Sequence, residues 1–352
     1  MLLDLSGPPA NPSSVHWFGQ QARHLLTGAR QRVATFFNAR PEEIIFTSGG
    51  TESLNYLLRG LGTKGHVITT AIEHSAVYRT IQSLEAQGLE VTYLPVSLWG
   101  APLSDQVASA IRSDTRAIVL SASNGETGVK IDLEAISLVA EKRGVPLLLD
   151  LVAFMGKEPI SLPRAVAGFA ISGHKFHAPK GIGLLMSRSS LKLAPFLTGG
   201  NQEYQRRAGT ENLSGILGLA EALKILSESQ TEITQHLTDL RKHLEQGLLR
   251  EIPDIAINGE GPRISNTSNI AFLGVDGETL LMQLDLVGIA VSHGSACSAG
   301  ALEPSRVLTQ MGIDRKTARS SLRLSVGRTN TREEIDLCIE RMANIVAKLR
   351  KL

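Results

Sequence analysis

The sequence predicts an α/β fold, in which a largely parallel sheet carries helices on both faces and a smaller α+β domain follows. Seven short apolar β runs alternate with helical patterns before residue 188, and this alternation is typical of parallel sheets. Beyond residue 251 the pattern changes to shorter, mixed elements. A chain of 352 residues, 42% hydrophobic and 20% charged, has the length and composition of a globular protein with two domains.

The first element is a helix, since residues 11–14 can cap it and apolar residues recur at helical spacing through residue 37. The β runs follow at 43–47, 66–70, 89–94, 117–121, 146–151, 168–172 and 183–187. Helical patterns between them lie at 77–87, 105–113 and 133–143. A long helical region at 211–251 is expected to bend or break near residues 227–231. The last part predicts strands at 269–273, 289–292 and 321–326, with helices at 277–286 and from residue 331.

Charge and cysteine content exclude several classes of function. The net charge is +2, which gives no electrostatic reason to expect nucleic acid or an anionic membrane as a partner. The two cysteines, Cys297 and Cys338, rule out a disulfide framework and favour a reducing, cytoplasmic location. No signal peptide and no apolar run long enough to span a bilayer are visible.

Lys175 is the most informative residue, because it stands in a tight turn of small residues directly after an apolar β run. An amine that is held still and partly desolvated is nucleophilic enough for Schiff-base chemistry. Asp150 ends another apolar run upstream. A lysine for the aldehyde and an aspartate for the ring nitrogen are expected around pyridoxal phosphate. Taken alone, a solvated turn lysine and a backbone-bonded aspartate are the plainer alternatives.

A phosphate site is predicted where a β run, a glycine turn and a helix start follow one another at residues 46–53, which include Gly50 and Thr51. Backbone N–H groups at such a helix start bind phosphate, although a plain capped helix is the alternative. Thr210, in the polar loop 207–212, is a second possible phosphate contact. His74 follows a β run, where it can stack on a cofactor ring, move protons, or serve only in the structure.

Two further residues are candidates for the substrate. Cys297 lies among small residues and two glycines, which predicts an exposed loop and a reactive thiol. Cys338, in contrast, lies in the apolar pattern of the last helix and is expected to be inert. Arg323 interrupts an apolar β pattern and can bind a carboxylate with two hydrogen bonds; a surface arginine on an edge strand is the alternative.

Taken together, these motifs resemble the cysteine desulfurases, a branch of the class V aminotransferase-like, fold-type I pyridoxal-phosphate enzymes. The resemblance covers nearly the whole chain. Its marks stand in order at residues 11–16, 47–53, 73–74, 124–128, 172–175, 179–183, 207–212, 294–297 and 302–305. It implies a large domain with a mostly parallel seven-stranded sheet at 10–235, and a small domain formed by 1–9 and 236–352 that carries the cysteine loop.

The resemblance also implies a role for each matching residue. Lys175 would hold pyridoxal 5'-phosphate covalently and move protons, Asp150 would pair with the ring nitrogen, and His74 would stack on the ring. The phosphate would be held by Gly50, Thr51, Ser172, His174 and, from a partner subunit, Thr210. Arg323 and Asn124 would bind the substrate. Cys297 would take the sulfur of L-cysteine as a persulfide and release L-alanine, for transfer to an acceptor or an iron–sulfur scaffold protein. A homodimer is expected.

The sequence departs from the family at two positions of the expected site. Gly125 replaces the second of two adjacent asparagines, and Ala153 replaces a glutamine that contacts the cofactor's phenolic oxygen. Each loss removes a hydrogen bond worth roughly 1 kcal/mol in a buried site. Two alternatives to a desulfurase therefore remain open: a related enzyme, such as a selenocysteine lyase or an aminotransferase-like enzyme, and a catalytically weakened scaffold homologue.

Overall fold

The main sheet has seven strands, as expected. The computed structural model describes residues 1, 5–7, 10–294 and 304–351. The strands are β1 (Ile44–Thr47), β2 (His66–Thr70), β3 (Glu90–Leu94), β4 (Thr115–Ser121), β5 (Leu147–Asp150), β6 (Val166–Ser172) and β7 (Gly183–Ser187). They lie in the order β1-β7-β6-β5-β4-β2-β3. All neighbours pair in parallel except β7, which is antiparallel to both β1 and β6.

Helices cover both faces of this sheet, which explains why its central strands are continuous apolar runs. The helices of this part are α1 (Trp17–Phe36), α2 (Gly50–Arg59), α3 (Ser75–Glu85), α4 (Ser104–Ala110) and α5 (Leu133–Arg143). Every residue of β5 and β6 is buried. The carboxyl ends of β2, β4, β5 and β6 therefore meet at one edge, where ligands gather in open α/β sheets.

One long helix, α6 (Leu213–Glu251), connects the main sheet to the rest of the chain. It packs against α1 at its start and against the C-terminal helix farther along. The break expected near residues 227–231 is not present, since the helix runs through that region. Its buried leucines continue at helical spacing on both sides of the polar stretch, so packing keeps the helix intact where local sequence does not.

A second, smaller sheet follows, as the sequence predicts. Its strands β8 (Ile255–Ile257), β9 (Thr267–Phe272) and β10 (Ser321–Ser325) are antiparallel in the order β10-β9-β8. The helices of this part are α7 (Gly277–Leu286), α8 (Arg306–Gln310), α9 (Arg315–Arg319) and α10 (Arg332–Leu349). The strand predicted at 289–292 is wrong: only Ser292 forms an isolated bridge, to Arg323. No helix in the described part of the chain is long and apolar enough to cross a membrane.

Candidate active site

Asp150 ends the central strand β5 and is 5% exposed. The backbone N–H of Val152 donates to its Oδ1 at 2.8 Å, whereas no donor among the described residues reaches Oδ2. Burial raises the pKa of this carboxyl to about 6, and the charge of Lys175 opposes that rise. The carboxylate therefore lacks a donor that a protonated ring nitrogen would supply.

Lys175 lies in a single 3-10 turn, Gly173–Phe176, directly after β6; we call it the lysine turn. Gly173 N donates to Ile182 O, and Ala178 N donates to Gly173 O, both at 3.0 Å. Phe176 is buried beneath the turn, whereas Lys175 is exposed. The backbone of Lys175 is thus fixed while its amine can reach into the cleft.

His74 lies beside Lys175 and caps helix α3. The N–H of Ala76 donates to His74 Nδ1 at 3.1 Å, which leaves Nε2 as the nitrogen that carries the proton in the neutral ring. Burial lowers the pKa of His74, and the charges of Lys175 and Arg306 lower it further. The imidazole is accordingly favoured in its neutral form, with Nε2 left for proton exchange.

A buried glutamate that the sequence did not single out lies next to His74. Glu73 is 3% exposed and accepts from Thr70 Oγ1 at 2.6 Å and from Ser121 N at 2.8 Å. Burial raises its pKa to about 7, and the nearby charge of Asp150 contributes. Because Thr70 ends β2 and Ser121 ends β4, Glu73 ties together the strand ends that carry the site.

Lys157 is a second residue that sequence reasoning missed. Its Nζ donates to the carbonyl oxygen of Lys175, and to that of Met155 at 3.3 Å. Burial lowers the pKa of Lys157 to about 8, and the charge of Lys175 adds to the effect. The Lys157 amine therefore anchors the backbone of the lysine turn.

The start of helix α2 has the features of a phosphate site. Gly49, at the N-cap, provides no side chain to cap the helix, so its first N–H groups are available to an anion. A Cβ on Gly49 would lie 3.7 Å from Ser172 Oγ, and one on Gly50 only 3.4 Å from Ser172 Cβ. Ser172 Oγ in turn bonds His174 Nδ1 at 3.1 Å. Thr51 is exposed on the same turn, so four predicted phosphate contacts are close together.

The loop that carries Thr210 is anchored to the same helix by an ion pair. Arg207 Nε lies 2.8 Å from Glu52 Oε1, and its Nη2 lies 3.2 Å from Oε2. Thr210 itself is exposed, and the structure gives it no contact with the helix start. Within one chain, Thr210 is not brought to the phosphate site.

The segment after β4 places the carbonyl oxygen of Gly125 against Arg323. Arg323 Nη1 donates to Gly125 O at 3.0 Å, so the predicted carboxylate-binding arginine lies at this edge of the site. Asn124 is buried, and its Nδ2 donates to Ile72 O at 3.0 Å. Its Oδ1 accepts from Glu126 N and Thr127 N at 2.9 and 3.0 Å. The Asn124 amide thus holds the loop together.

Cys297 lies outside the described residues. The described residues before and after it, Gly294 and Ser305, both lie next to the Glu126 carboxylate. Ser305 Oγ donates to Glu126 Oε2 at 2.5 Å, and a Cβ on Gly294 would lie 3.9 Å from the same oxygen. Burial raises the pKa of Glu126, and Ser305, Arg323 and Arg306 lower it. Arg306 Nη2 also donates to Glu73 O at 2.6 Å.

The other thiol has the properties of a structural residue. Cys338 is partly buried in helix α10, with its Sγ 3.7 Å from Met342 Sδ. Burial raises its pKa to about 11. A thiol held in its protonated form is a poor nucleophile.

Comparison with known proteins places this geometry in context. The model of the family described as aminotransferase class-V matches residues 5–338. A protein named cysteine desulfurase IscS from Methanosarcina thermophila is 41% identical over 97% of this chain and 86% of its own length. A solved structure described as a NifS-like protein has a TM-score of 0.88 at 33% identity, over 96% of this chain and 92% of that one. Another, described as SspA in complex with cysteine, has a TM-score of 0.78 at 32% identity, over 91% and 92%.

Proposed function

The chain belongs to the class-V aminotransferase family, in its cysteine desulfurase branch, and we propose that it removes sulfur from L-cysteine through a persulfide on Cys297. L-Alanine is the second product. The observation that carries the proposal is the placement of Asp150 and Lys175. Asp150 is a buried residue whose Oδ2 receives no donor from the described residues, and it lies close enough to Lys175, an exposed lysine on a fixed turn, for the two charges to interact.

The described residues fit pyridoxal 5'-phosphate. Asp150 Oδ2 would accept from the ring N–H, Lys175 would hold the aldehyde carbon, and the uncapped start of α2 with Ser172 would hold the phosphate. When bound, the cofactor supplies an electron sink for the negative charge that develops on the substrate's α-carbon. Asp150 favours that state because its carboxylate stabilises a positive charge on the ring nitrogen.

Lys175 and His74 are the groups suited to move protons. The Lys175 amine is exposed in the cleft, where it can take a proton from the α-carbon of the substrate. His74 is favoured in its neutral form and has only Nε2 left to exchange a proton with bound groups. The Glu73 side chain accepts from Ser121 N, and Arg306 donates to the carbonyl oxygen of Glu73. Both contacts fix the backbone directly before His74.

Arg323 is suited to bind the substrate carboxylate, since its guanidinium lies at the Gly125 edge of the cleft. Asn124 was predicted as a second substrate contact, but both polar atoms of its amide bind backbone groups. We assign Asn124 the role of holding the loop that carries Gly125 and Glu126.

Sulfur transfer would take place between the substrate and Cys297. The thiolate of Cys297 attacks the substrate sulfur, and an S–S bond forms as the substrate's C–S bond breaks. The β-carbon that loses the sulfur gains a proton and becomes the methyl group of alanine. Cysteine and one thiol thus become alanine and one persulfide, with no external oxidant. Cys297 follows Gly294 by three residues, which span at most about 11 Å, and Gly294 lies beside Glu126.

Several wider features belong to the same proposal. Residues 10–235 form the cofactor-binding domain, and residues 1–9 with 236–352 form the small domain that carries Cys297. A homodimer would bring Thr210 of one copy to the phosphate site of the other. The persulfide would pass to an acceptor or iron–sulfur scaffold protein, and a reducing cytoplasm would keep Cys297 active.

The test is alanine release from L-cysteine by protein reconstituted with pyridoxal phosphate. Wild type and Cys338→Ala should produce alanine at similar rates. Cys297→Ala should keep the cofactor spectrum and lose turnover by at least about 100-fold, since the other thiol of the sequence, Cys338, is partly buried and its pKa is raised. Borohydride reduction followed by mass spectrometry should locate the cofactor on Lys175.

Two results would contradict the proposal. Alanine release by Cys297→Ala at the wild-type rate would favour an enzyme that does not use this thiol. The absence of alanine from wild type, despite cofactor bound to Lys175, would point to another substrate or to a scaffold protein.

A further inference from the structure

A cavity of about 180 Å³ borders the lysine turn, whose Lys175 and Phe176 are among its lining residues. Lys157 and His177 line it from the main-sheet part of the chain, and Asn266 and Arg328 line it from the smaller part. Apolar side chains of helix α6 complete its wall. Asp150, His74 and Ser172 do not line it, so the cavity shares Lys175 with the proposed cofactor site but not the ring-nitrogen or phosphate contacts.

The cationic groups around this cavity have no anionic partner in the described part of the chain. Lys157 Nζ binds only the carbonyl oxygens of Met155 and Lys175. Neither His177 nor Arg328 forms a side-chain hydrogen bond or an ion pair with any described residue. No acidic side chain is found among the described residues that line the cavity.

The half-buried amine of Lys157 has lost part of its hydration and has only neutral carbonyl acceptors. His177 and Arg328 are exposed side chains that line the same cavity. The pKa of His177 is lowered by burial and then by the charges of Arg328 and Lys157. That of Lys157 is lowered by burial and by Lys175. Such a group of donors would gain charge-assisted hydrogen bonds from an anion placed between them.

We propose that this cavity is a second anion site, which binds a small oxyanion or carboxylate between Lys157, His177 and Arg328. Its volume accommodates a group of that size with water, since one water takes about 30 Å³ in the liquid. The polar side chains of the lining supply the donors, and Asn266 also lines the cavity. An anion here would contact the Lys157 amine, which donates to the carbonyl oxygen of Lys175. Anion binding would therefore alter the contact that fixes the lysine turn.

Inorganic phosphate is the probe, and the cofactor-loaded protein is the sample, because bound pyridoxal phosphate fills the phosphate site at helix α2. Calorimetric titration at constant ionic strength should show one saturable site. Arg328→Gln should weaken the affinity about tenfold, which corresponds to about 1.4 kcal/mol. Arg143→Gln, which removes an exposed arginine at the end of α5, should leave the affinity unchanged. The absorbance of the bound cofactor should shift on phosphate addition in wild type and not in Arg328→Gln.

Equal affinity in wild type and Arg328→Gln would overturn the proposal, as would an equal loss in Arg143→Gln, which would indicate a general charge effect. Saturable binding by the cofactor-free protein that disappears when pyridoxal phosphate is added would assign the anion to the helix α2 site instead. A protein that takes up no pyridoxal phosphate would refute the proposed function, but the comparison of Arg328→Gln with Arg143→Gln would still decide this inference.

Discussion

Gly125 lies directly against Ala153: a Cβ placed on Gly125 would be 4.0 Å from the Cβ of Ala153, its nearest neighbour. The two residues follow the neighbouring strands β4 and β5: Gly125 is four residues after Ser121, and Ala153 is three residues after Asp150. They are also the two positions at which the family usually carries amide side chains. Both departures therefore remove side-chain atoms from adjacent positions, next to the Arg323 contact with Gly125 O.

The first prediction restores one of these amides. Gly125→Asn has room, since no heavy atom comes within 4 Å of the added Cβ except that of Ala153. Ala153→Gln extends into the same space. Each variant should shift the absorbance maximum of the bound cofactor and tighten cofactor binding about fivefold, the equivalent of roughly 1 kcal/mol for one buried hydrogen bond. Cofactor titration followed by absorbance measures both effects.

Ala86→Gln is the matched control for this pair, because Ala86 is exposed at the end of α3. It should alter neither the spectrum nor the affinity. If Gly125→Asn and Ala153→Gln also behave as wild type, these two positions do not border the cofactor.

The second prediction concerns pH and the stability of the cofactor-free protein. Asp150 has its pKa raised from 3.8 to about 6, and Glu73 from 4.5 to about 7. The folded state therefore holds more protons than the unfolded state between about pH 4 and pH 7. Their contribution to stability is fully favourable below about pH 4 and is lost as the pH rises through the folded pKa values.

Asp150→Asn should remove part of this slope and make the protein relatively more stable at pH 7 than wild type. The measurement is the urea midpoint between pH 4.5 and pH 7.5. Asp105→Asn, at an exposed aspartate of α4, serves as the control and should keep the wild-type slope. Equal slopes for wild type and Asp150→Asn would show that burial does not perturb Asp150.

The third prediction concerns the buried ion pair that anchors the loop before α6. Arg30 Nη2 lies 2.6 Å from Glu203 Oε1, and Phe46 N donates to Glu203 Oε2 at 3.0 Å. Glu203→Gln leaves a buried guanidinium without its counter-charge, so the free energy of unfolding should fall by about 3–5 kcal/mol. Glu42→Gln removes a carboxylate from the exposed Arg40 pair and should cost about 1 kcal/mol or less.

Urea unfolding of Glu203→Gln and Glu42→Gln under the same conditions measures both changes in the free energy of unfolding. A loss below about 1 kcal/mol for Glu203→Gln would mean that water or a neighbouring group replaces the carboxylate.

The fold was predictable because each buried strand has a local sequence pattern that identifies it. A run such as 147–150 is apolar at every position except its last residue, and that pattern needs no distant partner to be recognised. β8 escaped notice because three residues give too short a pattern. The continuity of α6 also depends on packing against elements far away in the sequence, which no local window contains.

The site was predictable where a polar residue ends an apolar strand, as Asp150 does, or lies in the turn directly after one, as Lys175 does. Glu73 and Glu203 were missed because their burial depends on partners remote in sequence, and Lys157 because its contact with the Lys175 carbonyl oxygen forms only in the folded chain. Ser121 lies 48 residues from Glu73, and Arg30 lies 173 residues from Glu203. Asn124 was assigned to the substrate for the opposite reason: its backbone partners become visible only once the loop is folded.

The last prediction concerns the closest backbone approach at the phosphate site. A Cβ on Gly183 would lie 2.5 Å from Gly49 Cα and 2.9 Å from Gly49 N, and these are backbone atoms at the start of α2. Gly183→Ala should therefore push the start of α2 away from Ser172 and weaken cofactor binding by about tenfold or more. Gly28→Ala is the matched control, since it adds a methyl group inside helix α1, where the nearest atom is 3.9 Å away. That control should raise the free energy of unfolding by up to about 1 kcal/mol and leave cofactor affinity unchanged. Because both variants add one methyl group, unchanged cofactor affinity in Gly183→Ala as well would mean that the start of α2 does not hold the phosphate.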